Sequence, residues 1–244
     1  MARSDSLRVG ANGAASVLHR RSRFALWAVV AAVAIGACAE RSEPGPTPVV
    51  VMPIAEARAS RSGDLVHVEG TVTVQSGAFA SSVPSGFALQ DETAGIYIVD
   101  SHHSVGLGAR LRVIGRRGAE SGLQYIRLQV MERLGGSHAV APRPVATGSL
   151  DEELEGLLIQ AAGRVIREQD DAPYGYKVFI DDGSGACQVF LDTSTGLTRE
   201  VTRWRVGDRL QVTGFAGRYN ETDEIMPRVS SDIVMLAEIQ QGQE

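Results

Sequence analysis

The 244-residue sequence predicts an all-β protein: two tandem five-stranded barrels behind an N-terminal export segment and an extended tether. Three observations carry that expectation. Four blocks of the first half return, in the same order, in the second half. Within each half, apolar and polar residues alternate over runs of five to nine positions, the period of half-buried strands. Between the runs lie Gly, Asp, Ser and Thr, which supply turns.

The repeat is specific enough to set boundaries. Pro53-Ile54-Ala55 returns as Pro144-Val145-Ala146, and residues 66–72 return as residues 159–165 with Gly70 facing Gly163. Residues 89–96 return as 180–187, and residues 108–115 return as 207–214, each beginning with Gly and an Arg-Leu pair. The offset drifts from 91 to 99 only between strands, where loops absorb insertions. This gives an export segment at 1–37, a tether at 38–52, repeats at 53–135 and 144–236, a linker at 136–143 and a polar tail at 237–244.

In each repeat the first strand carries a mid-strand glycine, Gly70 or Gly163, where a missing side chain marks a bulge or the sharp bend of a small barrel. Asp91 to Gly95 and Asp182 to Gly185 supply the tight hairpin between strands two and three. Equivalent core pairs are Val68/Ala161, Leu89/Ile180, Ile98/Val189, Leu111/Leu210 and Val113/Val212. Five short strands, a bend in the first and a hairpin joining the next two resemble the oligonucleotide/oligosaccharide-binding (OB) fold. That fold often carries a helix between strands three and four. Residues 197–204 have room for one, whereas residues 101–107 do not, so the first barrel is expected to be plugged by another element such as its neighbour. Residues 151–155 suit a helical turn leading into the second repeat.

Ahead of the repeats, Arg20, Arg21 and Arg23 precede an apolar run over residues 24–37. A run of about 14 residues falls short of the roughly 20 needed to span a bilayer as a helix. It ends in Ile35-Gly36-Ala37-Cys38, which is similar to the lipobox of bacterial lipoproteins. The resemblance implies that Cys38 is acylated, becomes the new N-terminus and holds the chain to a membrane of the cell envelope. Ala39 in place of Asp then favours the outer membrane of a Gram-negative host. A retained anchor is the alternative, and Arg20-Arg21 leaves both general and twin-arginine export open. Residues 38–52 are polar and Pro-rich, a composition that stays extended.

Charge narrows the partners. The whole chain carries −5; losing residues 1–37 removes five Arg and one Asp, leaving 19 basic against 28 acidic side chains, or −9. Bulk attraction to phosphate is therefore excluded, and nucleic-acid binding would need a local basic patch. With Cys38 lipidated, Cys187 has no disulfide partner and reads as a small buried apolar residue.

An OB barrel binds on the outer side of strands two and three and in the adjoining loops, where aromatics stack and cations hold a backbone. Alternation turns Lys177, Phe179, Gln188 and Phe190 outward, joined by Arg164 on strand one and by Arg218 and Tyr219 after strand four. These seven are the candidate ligand-binding residues. The competing reading is that Phe179 and Phe190 pack against the first repeat or under a loop. In the first repeat only Tyr97 could stack, so that half reads as structural. Arg112, Arg116 and Arg117 form a small basic cluster best read as a solvated loop.

No catalytic or cofactor motif emerges. Asp100, His102 and His103 lack a further ligand at metal spacing, and residues 170–171 and 221–224 read as solvated acidic turns. No nucleophile elbow or phosphate loop is present. The expectation is a non-catalytic protein without cofactor, held to the membrane by lipid and binding single-stranded nucleic acid, or alternatively an envelope protein or glycan.

Overall fold

A computed structural model describes residues 50–198 and 203–237. Cys38, its lipobox, the tether up to residue 49 and the tail from residue 238 lie outside the described residues, as do residues 199–202 of the expected helix.

The first sheet contains β1 (Leu65–Val74), β2 (Gly86–Gln90), β3 (Gly95–Val99), β4 (Ala109–Glu120) and β5 (Leu123–Ser137), closed in the order β1-β2-β3-β5-β4. The second contains β6 (Arg143–Pro144), β7 (Leu158–Asp171), β8 (Gly175–Asp181), β9 (Ala186–Asp192), β10 (Arg209–Tyr219), β11 (Thr222–Met226) and β12 (Ile233–Leu236). It closes through the same ring, β7-β8-β9-β11-β10, by pairing of β10 with β7. The topology fits the OB barrel that the sequence resembles.

The repeat predicts register as well as order. Gly70 faces Leu111 and Gly163 faces Leu210; Val68 faces Val113 and Ala161 faces Val212. Both first strands change partner beside their glycine, β1 from β4 to β2 and β7 from β10 to β8. A Cβ on Gly163 would lie 2.8–3.0 Å from the backbone of Asp181, so the bend requires a residue without one. All ten expected core residues are buried.

Three features depart from the expectation. The first barrel is plugged by its own short helix α1 (Ile54–Ala59), with Ile54 and Ala57 fully buried beside Val105, and not by the second repeat. The Asp91 carboxylate accepts from Ile54 N at 2.8 Å, and Thr93 Oγ1 accepts from Ala55 N at 3.1 Å. The second repeat repeats this clasp: Asp182 accepts from Thr147 N and Oγ1, and Ser184 Oγ accepts from Gly148 N.

The second departure is the strand count, seven where five were expected. The long β5 pairs along the whole of β4. Its counterpart breaks at Pro227, which has no N–H to donate, into β11 and β12. β12 then covers the start of β10, with Leu210 opposite Met235 and Val212 opposite Ile233. The two-residue β6 adds a short edge beside β7.

The third is the tight union of the two barrels, which belong to one compact unit from Thr47 onward. Val74, Ala78, Phe79, Ala88, Tyr97 and Leu123 of the first pack on Phe190, Phe215 and Met226 of the second. Residues 151–155 form the expected turn around a 3-10 helix at Glu152–Leu154, and its buried last residue, Glu155, pairs with Arg58 at 3.2 Å and accepts from Gln124 N at 2.6 Å. Arg228, freed by the break at Pro227, donates to Thr73 O at 2.7 Å while pairing with Asp232.

Candidate ligand-binding face

The outer surface of the second barrel carries one continuous cross-strand row. Arg167 of β7 lies opposite Phe179 of β8, Phe179 opposite Gln188 of β9, and Gln188 opposite Glu224 of β11. A second row runs Gln169, Lys177, Phe190. The two ends of this face differ.

At one end a cleft of about 410 Å3 opens against the first barrel, within the size range of small-ligand sites. Tyr97, Phe190, Phe215 and Met226 form its apolar wall, all nearly fully buried. Two exposed aromatics stand at its sides: Tyr174 in the β7–β8 turn and Tyr219 at the end of β10. These are the two hairpins that flank the binding face of an OB barrel. Asp171, Lys177, Gln188, Arg218 and Glu224 supply its charged and amide groups, and Ser82 and Thr222 its aliphatic hydroxyls.

Glu224 is 6 % exposed. Burial pushes its carboxyl up to about 7, against the hydrogen bond from Gln188 and the attraction of Lys177, while Asp171 and Asp192 push the same way as burial. Gln188 Nε2 donates to Oε2 at 2.5 Å. Lys177 Nζ is 3.0 Å from Asp171, and Arg218 pairs with Asp223 at 3.1 Å and Glu152 at 3.7 Å, so both cations are already partnered.

At the other end the Arg167 guanidinium stacks 3.7 Å over the Phe179 ring. Arg209 lies directly opposite Arg164, an arrangement of like charges that disfavours the sheet by itself. The segment before β10 docks on β7 through Gly207 N to Val165 O and Val165 N to Asp208 O, both 2.8 Å. Trp204 in it is buried and donates to Glu168 at 2.7 Å, with exposed Arg203 and Arg205 on either side. Nearby carboxylates are engaged by other donors: Asp208 accepts from Arg205 N, and Asp181 from Gly183 N. Arg167, Arg203, Arg205 and Arg209 make no ion pair among the described residues.

The seven residues named from sequence thus divide. Lys177, Gln188, Phe190, Arg218 and Tyr219 line the cleft; Phe179 and Arg164 belong to the arginine-rich end, where Arg164 donates to Gly207 O at 2.5 Å. Phe190 is outward on its own strand but 4 % exposed, packed against the first barrel, so it walls the cleft instead of offering an open stacking surface. Sequence reasoning missed Arg167, Tyr174 and Glu224. Glu224 corrects the reading of residues 221–224 as a solvated turn, because β11 begins at Thr222 and carries Glu224 into the cleft on the barrel's outer face, where it is buried. An Ala-Pro-Tyr-Gly turn was the available signal for Tyr174.

Elsewhere, Arg112 pairs with Glu69 and Glu132, Arg116 donates to Gly63 O, and Arg117 to Arg58 O and Gln124, so that cluster is tied into the fold and is no free loop. Asp100 accepts from the backbone of His102 and His103. Among the described residues no group of three or more His, Cys, Asp or Glu could hold a metal, and no helix is long and apolar enough to cross a membrane.

No protein-family model and no curated protein matches this chain. Similar solved structures include OBody AM1L10 bound to hen egg-white lysozyme, at 23 % identity over 41 % of this chain and 100 % of that one, TM-score 0.34. Another is the S. pombe Stn1–Ten1 complex, at 17 % identity over 33 % of this chain and 59 % of that one, TM-score 0.29.

Proposed function

We propose that this is a non-catalytic binding protein of the bacterial envelope, lipidated at Cys38, that holds single-stranded nucleic acid across the outer face of its second barrel. The observation that carries the reading is the face itself: at one end Arg167, Arg203, Arg205 and Arg209, which make no ion pair among the described residues, at the other an aromatic-walled cleft of small-ligand size, and a row of side chains between them. The arginines supply the local basic patch that a chain of net negative charge needs to hold phosphates. Tyr174 and Tyr219 stand where a base entering the cleft would stack. The lipid anchor rests on the lipobox, and Ala39 favours the outer membrane.

A second reading, an envelope glycan or protein partner, is favoured by the paired state of Lys177 and Arg218 at the cleft. Salt-titrated binding separates the two. A short single strand should bind at low salt with an affinity that falls steeply as salt rises, because phosphate contacts release counterions. Replacing Arg167 and Arg209 with Ala should flatten that slope by about one unit for each phosphate no longer neutralised. Absence of single-strand binding at about 50 mM salt, together with saturable glycan binding, would replace the first reading with the second. Retention of a Cys38→Ser variant in membranes would remove the anchor.

A further inference from the structure

We infer that the cleft selects guanine, with Glu224 as the residue that reads the base and Gln188 as the residue that positions Glu224. The inference rests on the single-strand reading above. A carboxylate is acceptor-only, with about four lone-pair sites on two oxygens. In Glu224 the bond from Gln188 engages Oε2, while Oε1 accepts no hydrogen bond among the described residues. Oε1 is not among the buried side-chain atoms left without a partner, so it is open to the cleft and available to a donor that the ligand brings.

Among the bases, guanine offers two donors side by side on one edge, N1–H and the N2 amino group, which match the two oxygens of a carboxylate. Adenine and cytosine place one donor beside an acceptor, and thymine and uracil place a single N–H between two acceptors. Guanine also carries the acceptor O6 next to this donor pair, and the cationic donors that line the same cleft are Lys177, which also pairs with Asp171, and Arg218, which also pairs with Asp223 and Glu152. The aromatic wall of Tyr97, Phe190 and Phe215 and the flanking Tyr174 and Tyr219 suit a flat ring.

Both donors are accepted only by the ionised carboxylate, so recognition is coupled to a proton. Groups facing Glu224 come from every neighbouring element: Lys177 on β8, Asp171 ending β7, Asp192 ending β9, the Arg218–Asp223 pair across β10 and β11, and Tyr97 from the first barrel. With the carboxyl at about 7, acid protonates it, and guanine affinity falls as pH drops below neutrality. One unit below the midpoint roughly a tenth of the protein is ionised, so affinity falls about tenfold.

The test uses the full-length protein and two oligothymidylate strands, one with a single guanine at its centre and one with hypoxanthine, which lacks the N2 amino group. At pH 8 the guanine strand should bind roughly tenfold tighter or more, the effect of one hydrogen bond to a charged group. The ratio should shrink toward one at pH 6, and in Glu224→Gln it should be about one at both pH values. In Gln188→Leu, loss of the donor that favours ionisation should move the midpoint of the pH profile upward, a shift that a purely structural role would not produce. Equal binding of the two strands by the unaltered protein, or discrimination that survives in Glu224→Gln, overturns the inference while leaving the single-strand reading intact. Failure of both strands to bind removes both readings.

Discussion

Truncating Phe215 to Ala should separate the folding of the two barrels. The ring is 1 % exposed and sits at their junction, 6.0 Å from Phe79 and 6.1 Å, edge-on, from Tyr97 by ring centroids. Removing a buried Phe side chain costs about 3–5 kcal/mol, and each aromatic pair adds about 0.5–1.5 kcal/mol beyond its buried area. Against a total stability of about 5–15 kcal/mol, this is a large loss. Its location matters more than its size, because each barrel keeps its own separate core. In a Trp27→Phe background, Trp204 becomes the sole tryptophan and reports the second barrel alone, whereas far-UV circular dichroism reports both. Urea unfolding of the parent should give coincident transitions by the two probes, and Phe215→Ala should move them apart. A loss below about 1 kcal/mol with transitions still coincident would show that the aromatic cluster is not what joins the halves.

Ile54→Ala should cost about 2–5 kcal/mol in the same assay, since α1 and not the second barrel plugs the first; a change under about 0.5 kcal/mol would contradict that. Stability should fall as pH rises from about 4.5 to 7, because the raised carboxyl of folded Glu224 holds a proton that the unfolded chain has released. The full shift corresponds to about 3 kcal/mol, and Glu224→Gln should remove that slope in thermal melts taken across the window. Cys187, whose thiol burial pushes up to about 12, should resist alkylation at pH 8 in the folded protein and react once urea unfolds it.

Legibility in the sequence followed the range of the interactions. Alternation and repetition are local, so they carry register as well as strand order: Gly70 and Gly163 align in the sequence and face equivalent leucines in the sheets. What one half does to the other is not local. Outward parity places Phe190 on a surface, yet parity is the same whether that surface meets water, a ligand or a neighbouring barrel. Glu224 stayed hidden for a similar reason, because it is buried in a cleft that residues of both barrels line, while its own neighbours Glu221 and Asp223 read as a turn. Helix α1 is six residues long, too short for a helical period to stand out.

The clasp of Asp91 holds α1 to the first barrel, and the salt link from Arg58 to Glu155 and the apolar junction tie that barrel to the second. A half-molecule beginning at residue 144 would bring Phe190, Phe215 and Met226 into water as one sticky patch, and its cleft would lack the wall that Tyr97 provides. The duplicated halves are thus not interchangeable parts. One copy has become the mould against which the other is shaped, and substitutions at Ala88 or Tyr97, in the first half, would still reshape what the second half can hold.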